Sequence, residues 1–181
     1  PKAPAIEGLP HEKVFTLRSK EDAKRIKETA EVCKSCFILG ASFIGLEAAS
    51  SLTNLGLNVT VAAPESIPLE LILGKTMGKK IKKLHESKGV QFHMGTTAKR
   101  VSDSGKEIKV VLSDGTEISA DMIIIGIGII PATDYLKDTT LLHKGVISVD
   151  ENFQTSVEGI YAAGDIAVYP NALFGEDQRV E

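Results

Sequence analysis

The chain has 181 residues, 43% of them hydrophobic, with 24 acidic against 21 basic side chains and a formal net charge of -3. That size and balance fit one soluble globular domain with an appendage, and argue against a dedicated nucleic-acid binder, which carries a basic surplus. The longest apolar run, Met122 to Pro131, contains two glycines and is about half the length of a membrane-spanning helix.

In chain order, Pro1 to Pro10 holds three prolines and Gly8 and reads as an extended crossover linker, placed over residues 1–12. Val14 to Leu17 is a short strand candidate. Ser19 then caps a helix, with Asp22 in the capping-box position, running to about Glu31 with an inner stripe of Ala23, Ile26, Lys27 and Ala30. Cys33 and Cys36 have C-x-x-C spacing. A redox pair of that kind opens a helix, whereas this one runs into a strand, so Cys36 is expected inside and Cys33 in the preceding loop. Two cysteines in a chain of this size fit a reducing compartment, cytoplasm or mitochondrion.

Phe37 to Leu39 is a buried strand, and Gly40-Ala41-Ser42-Phe43-Ile44-Gly45 follows it at once. A helix with Ile44, Ala48, Ala49, Leu52 and Leu55 at helical spacing then stops at Gly56. Asn58 to Ala62 is the next strand, Pro64 and Pro68 mark a loop, Thr76 to Lys88 is a helix, and Val90 to His93 a third strand. This βαβαβ order implies a parallel, right-handed, Rossmann-like doubly wound sheet. Ala98 to Ser102, Ile108 to Leu112 and Glu117 to Ser119, with Asp114-Gly115 as a hairpin signal, form an inserted antiparallel β-meander. Met122 to Ile127 returns to the parallel sheet, and Val146 to Val149 and Ile160 to Ala162 are further strands.

A strand, a glycine turn and a helix N-terminus form a cradle for the pyrophosphate of a dinucleotide. Gly40, Ala41, Ser42, Phe43, Ile44 and Gly45 are its candidate residues. Gly40 allows the turn, Gly45 lets the helix pack close, and Ser42 stands where the G-x-G-x-x-G pattern has its middle glycine. The ribose-binding acid is expected about 20 residues after the glycines. Ala62 and Ala63 occupy that point and Glu65 comes slightly late, able to reach the ribose hydroxyls if it swings back. No Lys or Arg lies between Ala62 and Gly74 to meet a 2′-phosphate, so NAD is favoured over NADP. Glu47 either faces a cofactor or merely suits the helix dipole. Gly126-Ile127-Gly128 either lets a ligand lie against the backbone or is a plain exit turn. Asp165, after Gly164, either holds ribityl or ribose hydroxyls or caps the next helix. Lys79, Lys80, Lys82 and Lys83 read as a solvated face, and the four histidines show no metal-ligand spacing.

Taken in order, Thr16 to Ala23, Phe43 to Glu47, Gly126 to Gly128 through Pro131-Ala132-Thr133, and Tyr161 to Asp165 resemble the pyridine nucleotide-disulfide oxidoreductase superfamily. The likeness is to its NADH:ferredoxin-reductase and apoptosis-inducing-factor-like branch and covers nearly the whole chain. It implies an NAD(H)-binding domain over 13–141, followed over 142–181 by an incomplete returning segment of an FAD-binding domain. The Gly40–Gly45 loop would hold the NADH pyrophosphate, Glu47 would approach the nicotinamide, Gly126 to Gly128 would lie along the cofactor, and Asp165 would belong to the FAD site. The family's upstream FAD motif is not in this sequence, so the chain is expected to be an NADH platform lacking the FAD domain of the same polypeptide. The parent would pass hydride from NADH to FAD and electrons on to an iron–sulfur carrier. The alternative is an NADH-sensing interaction module. Residues 168–181 are expected to be poorly ordered or packed on a neighbouring chain.

Overall fold

The computed structural model describes residues 4, 6–9, 12–105, 107–172 and 175–179. The chain divides into two compact units, Pro1–Ile129 and Ile130–Glu181. The first orders β1 (Val14–Thr16), α1 (Lys20–Ala30), β2 (Ser35–Leu39), α2 (Phe43–Asn54), β3 (Asn58–Ala63), α3 (Glu70–Glu86), β4 (Gln91–Met94), β5 (Ala98–Asp103), β6 (Ile108–Leu112), β7 (Glu117–Ala120) and β8 (Met122–Ile125). Five strands form a parallel sheet in the order β1-β8-β2-β3-β4. The meander β5-β6-β7 is antiparallel. The architecture is the expected α/β one.

Alternation along the strands divides the core in two. Cys36 and Ile38 of β2, Val59 and Val61 of β3, and Met122 and Ile124 of β8 point to one face, where they meet Ile26 and Ala30 of α1 and Ala48, Ala49 and Leu52 of α2. Phe37, Leu39, Ala62, Ile123 and Ile125 point to the other and meet Val101, Ile108, Val110, Leu112 and Ala120 of the meander. The connections β1-α1-β2, β2-α2-β3 and β3-α3-β4 all step the same way across the sheet, so right-handed crossovers put their helices on one face. The return from β4 to β8 steps backwards, and the meander covers the opposite face.

The local signals act largely as read. Ser19 and Asp22 form a reciprocal capping box, with Ser19 Oγ accepting from the Asp22 N–H at 3.1 Å and Asp22 accepting from the Ser19 N–H at 2.9 Å. Only Ile26 and Ala30 of the expected stripe on α1 are buried; Ala23 and Lys27 are exposed. The third helix starts earlier than Thr76, because Leu69 takes a left-handed conformation and Gly74, at φ 71, breaks α3 without ending it. The lysine run is a solvated face, except that the stem of Lys82 is half-buried, with Nζ 5.6 Å from the centre of the Phe92 ring. Among the described residues no helix is long and apolar enough to cross a membrane. Of the expected linker, residues 1–3, 5, 10 and 11 lie outside the described residues; Glu7 bridges to Arg100, and Ile6 and Leu9 pack on the meander's core.

Cys36 is buried at the start of β2 and Cys33 half-buried before it, both as free thiols. Burial pushes both up from the ordinary thiol value, which disfavours the thiolate that redox chemistry requires.

The second unit holds β9 (Leu142–His143), β10 (Val146–Ser148), β11 (Ala167–Asn171) and β12 (Glu176–Gln178), in the order β12-β11-β10-β9. Its small core is Ile147, Val149, Ala162 and Ala167. Two expectations are corrected here. Ile160 to Ala162 forms no strand, only a bridge between Tyr161 and Gln154, since Gly159 and Gly164 at positive φ turn the chain on either side of it. β10 pairs with β11, most of which lies in the tail 168–181 expected to be poorly ordered or packed on a neighbouring chain. Ile147 pairs with Ala167 and Ser148 with Val168, and the Tyr169 ring lies tilted against Phe153 with centroids 6.1 Å apart. Residues 173, 174, 180 and 181 of that tail lie outside the described residues.

Two local devices hold β2 against β8. At the amino ends, Asp121 Oδ2 accepts from the N–H groups of Lys34 at 2.8 Å and Ser35 at 2.9 Å and from Ser35 Oγ at 2.9 Å. At the carboxyl ends three glycines interlock. A Cβ on Gly40 would fall 2.4 Å from the Gly126 carbonyl oxygen, one on Gly45 would fall 2.2 Å from the Gly40 carbonyl oxygen, and one on Gly126 would meet the Gly45 backbone at 3.2 Å.

Gly45→Ala is therefore expected to force these backbones apart and cost about 2 kcal/mol or more in urea unfolding. Asp121→Ala removes the acceptor for two backbone donors and is expected to cost about 1–2 kcal/mol at neutral pH, the half-exposed setting keeping it modest. Partial burial pushes the Asp121 carboxyl up, but the hydrogen bonds from Lys34 and Ser35 and the Lys13 charge outweigh it and hold it below its ordinary value. A carboxyl lowered by folding stabilises fully above its unfolded value and loses that contribution as pH falls through the folded one. The stability gap between Asp121→Ala and the unsubstituted chain should therefore close below about pH 4 in pH-dependent melts.

Candidate functional site

β2 and β8 are neighbours in the sheet but not in sequence. From β2 the chain goes one way, to β3; β8 arrives from the other side of the fold. The crevice outside the carboxyl ends of two such strands is where open α/β sheets bind ligands. Leu39 and Ile125, the last residues of the two strands, are in register, and Gly126 N–H donates to the Leu39 carbonyl at 2.7 Å. Gly40 leaves β2 at φ 108, its N–H bonded to the Ala62 carbonyl at 2.8 Å. The glycines thus bring the amino end of α2 down onto both strand ends.

Ser42 is the N-cap of α2. Its Oγ accepts from the Gly45 N–H at 3.3 Å and donates to the Gly126 carbonyl at 2.7 Å. The capping role was readable from Ser42 standing three residues before Gly45 at a helix start; the bond to Gly126 was not, since it crosses the sheet. Helix starts leave several N–H groups without intrahelical partners, and Ser42 takes one of them. Those of Phe43 and Ile44 belong to the same turn. Phe43 is 49% exposed, Ile44 and Ser42 are half-buried, and Glu47 is exposed one turn along. Ala41 is buried, and its carbonyl accepts from the Leu69 N–H at 3.3 Å, tying the glycine loop to the segment after β3.

That segment carries Glu65, half-buried, whose carbonyl accepts from the Gly95 N–H at 2.9 Å. Ala62 and Ala63 end β3 fully buried, so neither position offers an acid, and Glu65 is the first carboxylate after the strand. On the other side, Gly126 is glycine for the protein's own sake, because Gly45 fills the space beside it. Gly128, half-buried at φ 103, requires glycine by conformation, and Ile127 between them is half-buried. In the first unit, then, Gly40 to Gly45, Glu47, Glu65 and Gly126 to Gly128 share one edge of the sheet. Asp165 lies in the second unit, exposed within the short 3-10 turn Gly164–Ile166, whose cap is Ala163. It therefore caps no helix.

Two of the first unit's concavities lie elsewhere. One of about 380 Å³ is lined by Ala30, Cys33, Lys34, Leu55, Leu57 and Asn58 at the amino end of the sheet. One of about 560 Å³ is lined by Thr60, Gln91, His93, Thr116 and Ser119, among others, where the meander meets the amino ends of the strands. Neither is at the switch point. Among the described residues no group of His, Cys, Asp and Glu could hold a metal ion.

The edge is a capped helix start between two strand ends, and comparison with known proteins identifies the family. The family model described as pyridine nucleotide-disulphide oxidoreductase matches residues 1–179. Apoptosis-inducing factor 3 of Homo sapiens is 35% identical over 175 residues, which cover 95% of this chain and 29% of that protein. The ferredoxin–NAD(+) reductase component of the 3-phenylpropionate/cinnamic acid dioxygenase of Photorhabdus laumondii is 33% identical over 170 residues, 94% of this chain and 43% of that protein. The crystal structure of the ferredoxin reductase for the CYP199A2 system from Rhodopseudomonas palustris matches with a TM-score of 0.94 at 28% identity, over 99% of this chain and 45% of that one. The chain thus spans less than half the length of these relatives. It belongs to the pyridine nucleotide-disulphide oxidoreductase family.

Proposed function

We propose that this chain binds NADH at the amino end of α2 and serves as the NADH platform of an FAD-dependent oxidoreductase that sends electrons on to an iron–sulfur carrier. The observation that carries this reading is the open start of α2 at the switch point between β2 and β8. The N–H groups of Phe43 and Ile44, reinforced by the helix dipole, suit the two negative charges of a pyrophosphate. Glu65 suits the adenosine ribose hydroxyls beyond β3. With no Lys or Arg between Ala62 and Gly74, a 2′-phosphate would meet a carboxylate instead of a cation, which favours NADH over NADPH. Ile127 and Gly128 border the remaining half of the crevice, and Glu47 stands on α2 beside it.

Bound together, the nicotinamide supplies a hydride and the flavin accepts it. The chain's own part is binding and orientation, so no protein nucleophile is required. Asp165 is the candidate for flavin hydroxyls. The iron–sulfur acceptor rests on the ferredoxin–NAD(+) reductase component among the relatives. The likeness to apoptosis-inducing factor 3 supports a second reading, in which NADH occupancy alters association with a partner; nucleotide-dependent changes in oligomer size without turnover in the longer protein would favour it.

Calorimetric titration should show NADH binding about tenfold tighter than NADPH. Glu65→Ala should remove most of that preference by weakening NADH; equal affinities in the unsubstituted chain would refute the assigned role of Glu65. The 181-residue chain should not oxidise NADH in the presence of added FAD, followed by absorbance at the reduced nicotinamide band. Sustained turnover would show that the chain carries its own flavin site and would overturn the platform reading.

A further inference from the structure

The Ser42 hydroxyl has one proton, and it is spent on the Gly126 carbonyl at 2.7 Å. One of its lone pairs is spent on the Gly45 N–H. The side chain standing at the heart of the glycine loop therefore has no donor left for a phosphate oxygen. Its bonds run inside the protein, from the start of α2 to the exit of β8. Resting on the reading of this edge as an NADH site, we infer that Ser42 is a positioning residue: it pins the exit loop 126–129 against α2 and so shapes the half of the crevice that receives the nicotinamide riboside.

Three observations support the pin. First, the loop's other holds lie at its start, where Ile127 packs half-buried on the meander-side core. Gly126 is anchored through its N–H to Leu39, but Ile127, Gly128 and Ile129 are half-buried, and Gly128 has the conformational freedom of a glycine at φ 103. Second, the contact across the sheet is between backbones, with Gly45 filling the space beside Gly126. Loss of the hydroxyl would leave the exit of β8 held to α2 by backbone packing alone, with no side-chain bond between them. Third, the glycine loop is tied separately on its other flank, where Leu69 donates to Ala41. The corner beyond β3 therefore does not depend on Ser42.

This asymmetry gives the inference its test. In a switch-point crevice the pyrophosphate lies over the helix start and the adenosine ribose meets an acid after the second strand. Here that places the adenosine half on the β3 side, by Glu65, and leaves the other half over the exit of β8. A defect in the pin should thus be felt by NADH and spare ADP, which ends at the pyrophosphate and lacks the nicotinamide riboside.

The experiment is calorimetric titration of the chain and of Ser42→Ala with NADH and with ADP, alongside thermal melts. Ser42→Ala should weaken NADH about fivefold and ADP by less than about twofold, and Ser42→Thr, which keeps a capping hydroxyl, should return NADH to within about twofold. If Ser42→Ala does not fold, Ser42→Gly serves instead, since glycine is a tolerated N-cap that lacks the hydroxyl. Unchanged NADH affinity, or an equal fall for both ligands, would overturn the pin while leaving the NADH site standing. Failure of the unsubstituted chain to bind either ligand would overturn the site itself, and the pin with it.

Discussion

Everything at the carboxyl edge depends on how closely a helix start can approach two strand ends. Gly40, Gly45 and Gly126 make that approach a contact of backbone with backbone. A single methyl group at Gly45 would occupy the position of a carbonyl oxygen. The burden on these glycines is thus internal. They would be needed in an empty site, and they open the crevice indirectly, by setting α2 low enough that its first turn faces the edge. Asp121 performs the corresponding task at the amino ends, where one carboxylate oxygen gathers Lys34 and Ser35. β2 and β8 are clamped at both ends, by a carboxylate below and by Ser42 above.

The two faces of the sheet follow from the same topology. Successive residues of β2 belong to different cores: Cys36 and Ile38 to the helical side, Phe37 and Leu39 to the meander side. Right-handed forward crossovers put all three helices together, and the reversal after β4 leaves the opposite face for the antiparallel meander. The crevice lies where the direction of travel reverses. Candidate site and fold have one cause, which is why the carboxyl edge is built with so few dedicated side chains.

Much of this was legible in the sequence because the signals are local. Strand, glycine turn, helix and Gly56 stop occur within twenty or so residues of one another, and Ser19 with Asp22 announces its helix in four. The hairpin at Asp114-Gly115 marks the meander in the same way. What was not legible is what depends on distant partners. Asp121 reads as an ordinary polar residue between two strands until Lys34 and Ser35 are brought beneath it. Ser42 reads as a departure from a glycine pattern until Gly126 is brought to its hydroxyl. In the second unit, β11 escaped notice because Ala167 to Asn171 has neither clean alternation nor a long apolar run, and its pairing with β10 supplies the order that propensity does not. Ile160 to Ala162 shows the converse, an apolar triplet without a partner strand. At Leu69, a left-handed leucine adds a turn to α3 that no propensity scale would place there.

The position of β8 in the sheet also governs the order in which the molecule can assemble. It lies between β1 and β2, and among the described residues β1 has no other neighbour in the sheet. Val14 must therefore wait for Ile123. During synthesis the first strand leaves the ribosome long before the strand that will hold it, and until β8 arrives the apolar flank of β2 has no cover either. The centre of the sheet is the last part to close, so this half of the protein gains its cooperativity late, through contacts of high sequence separation.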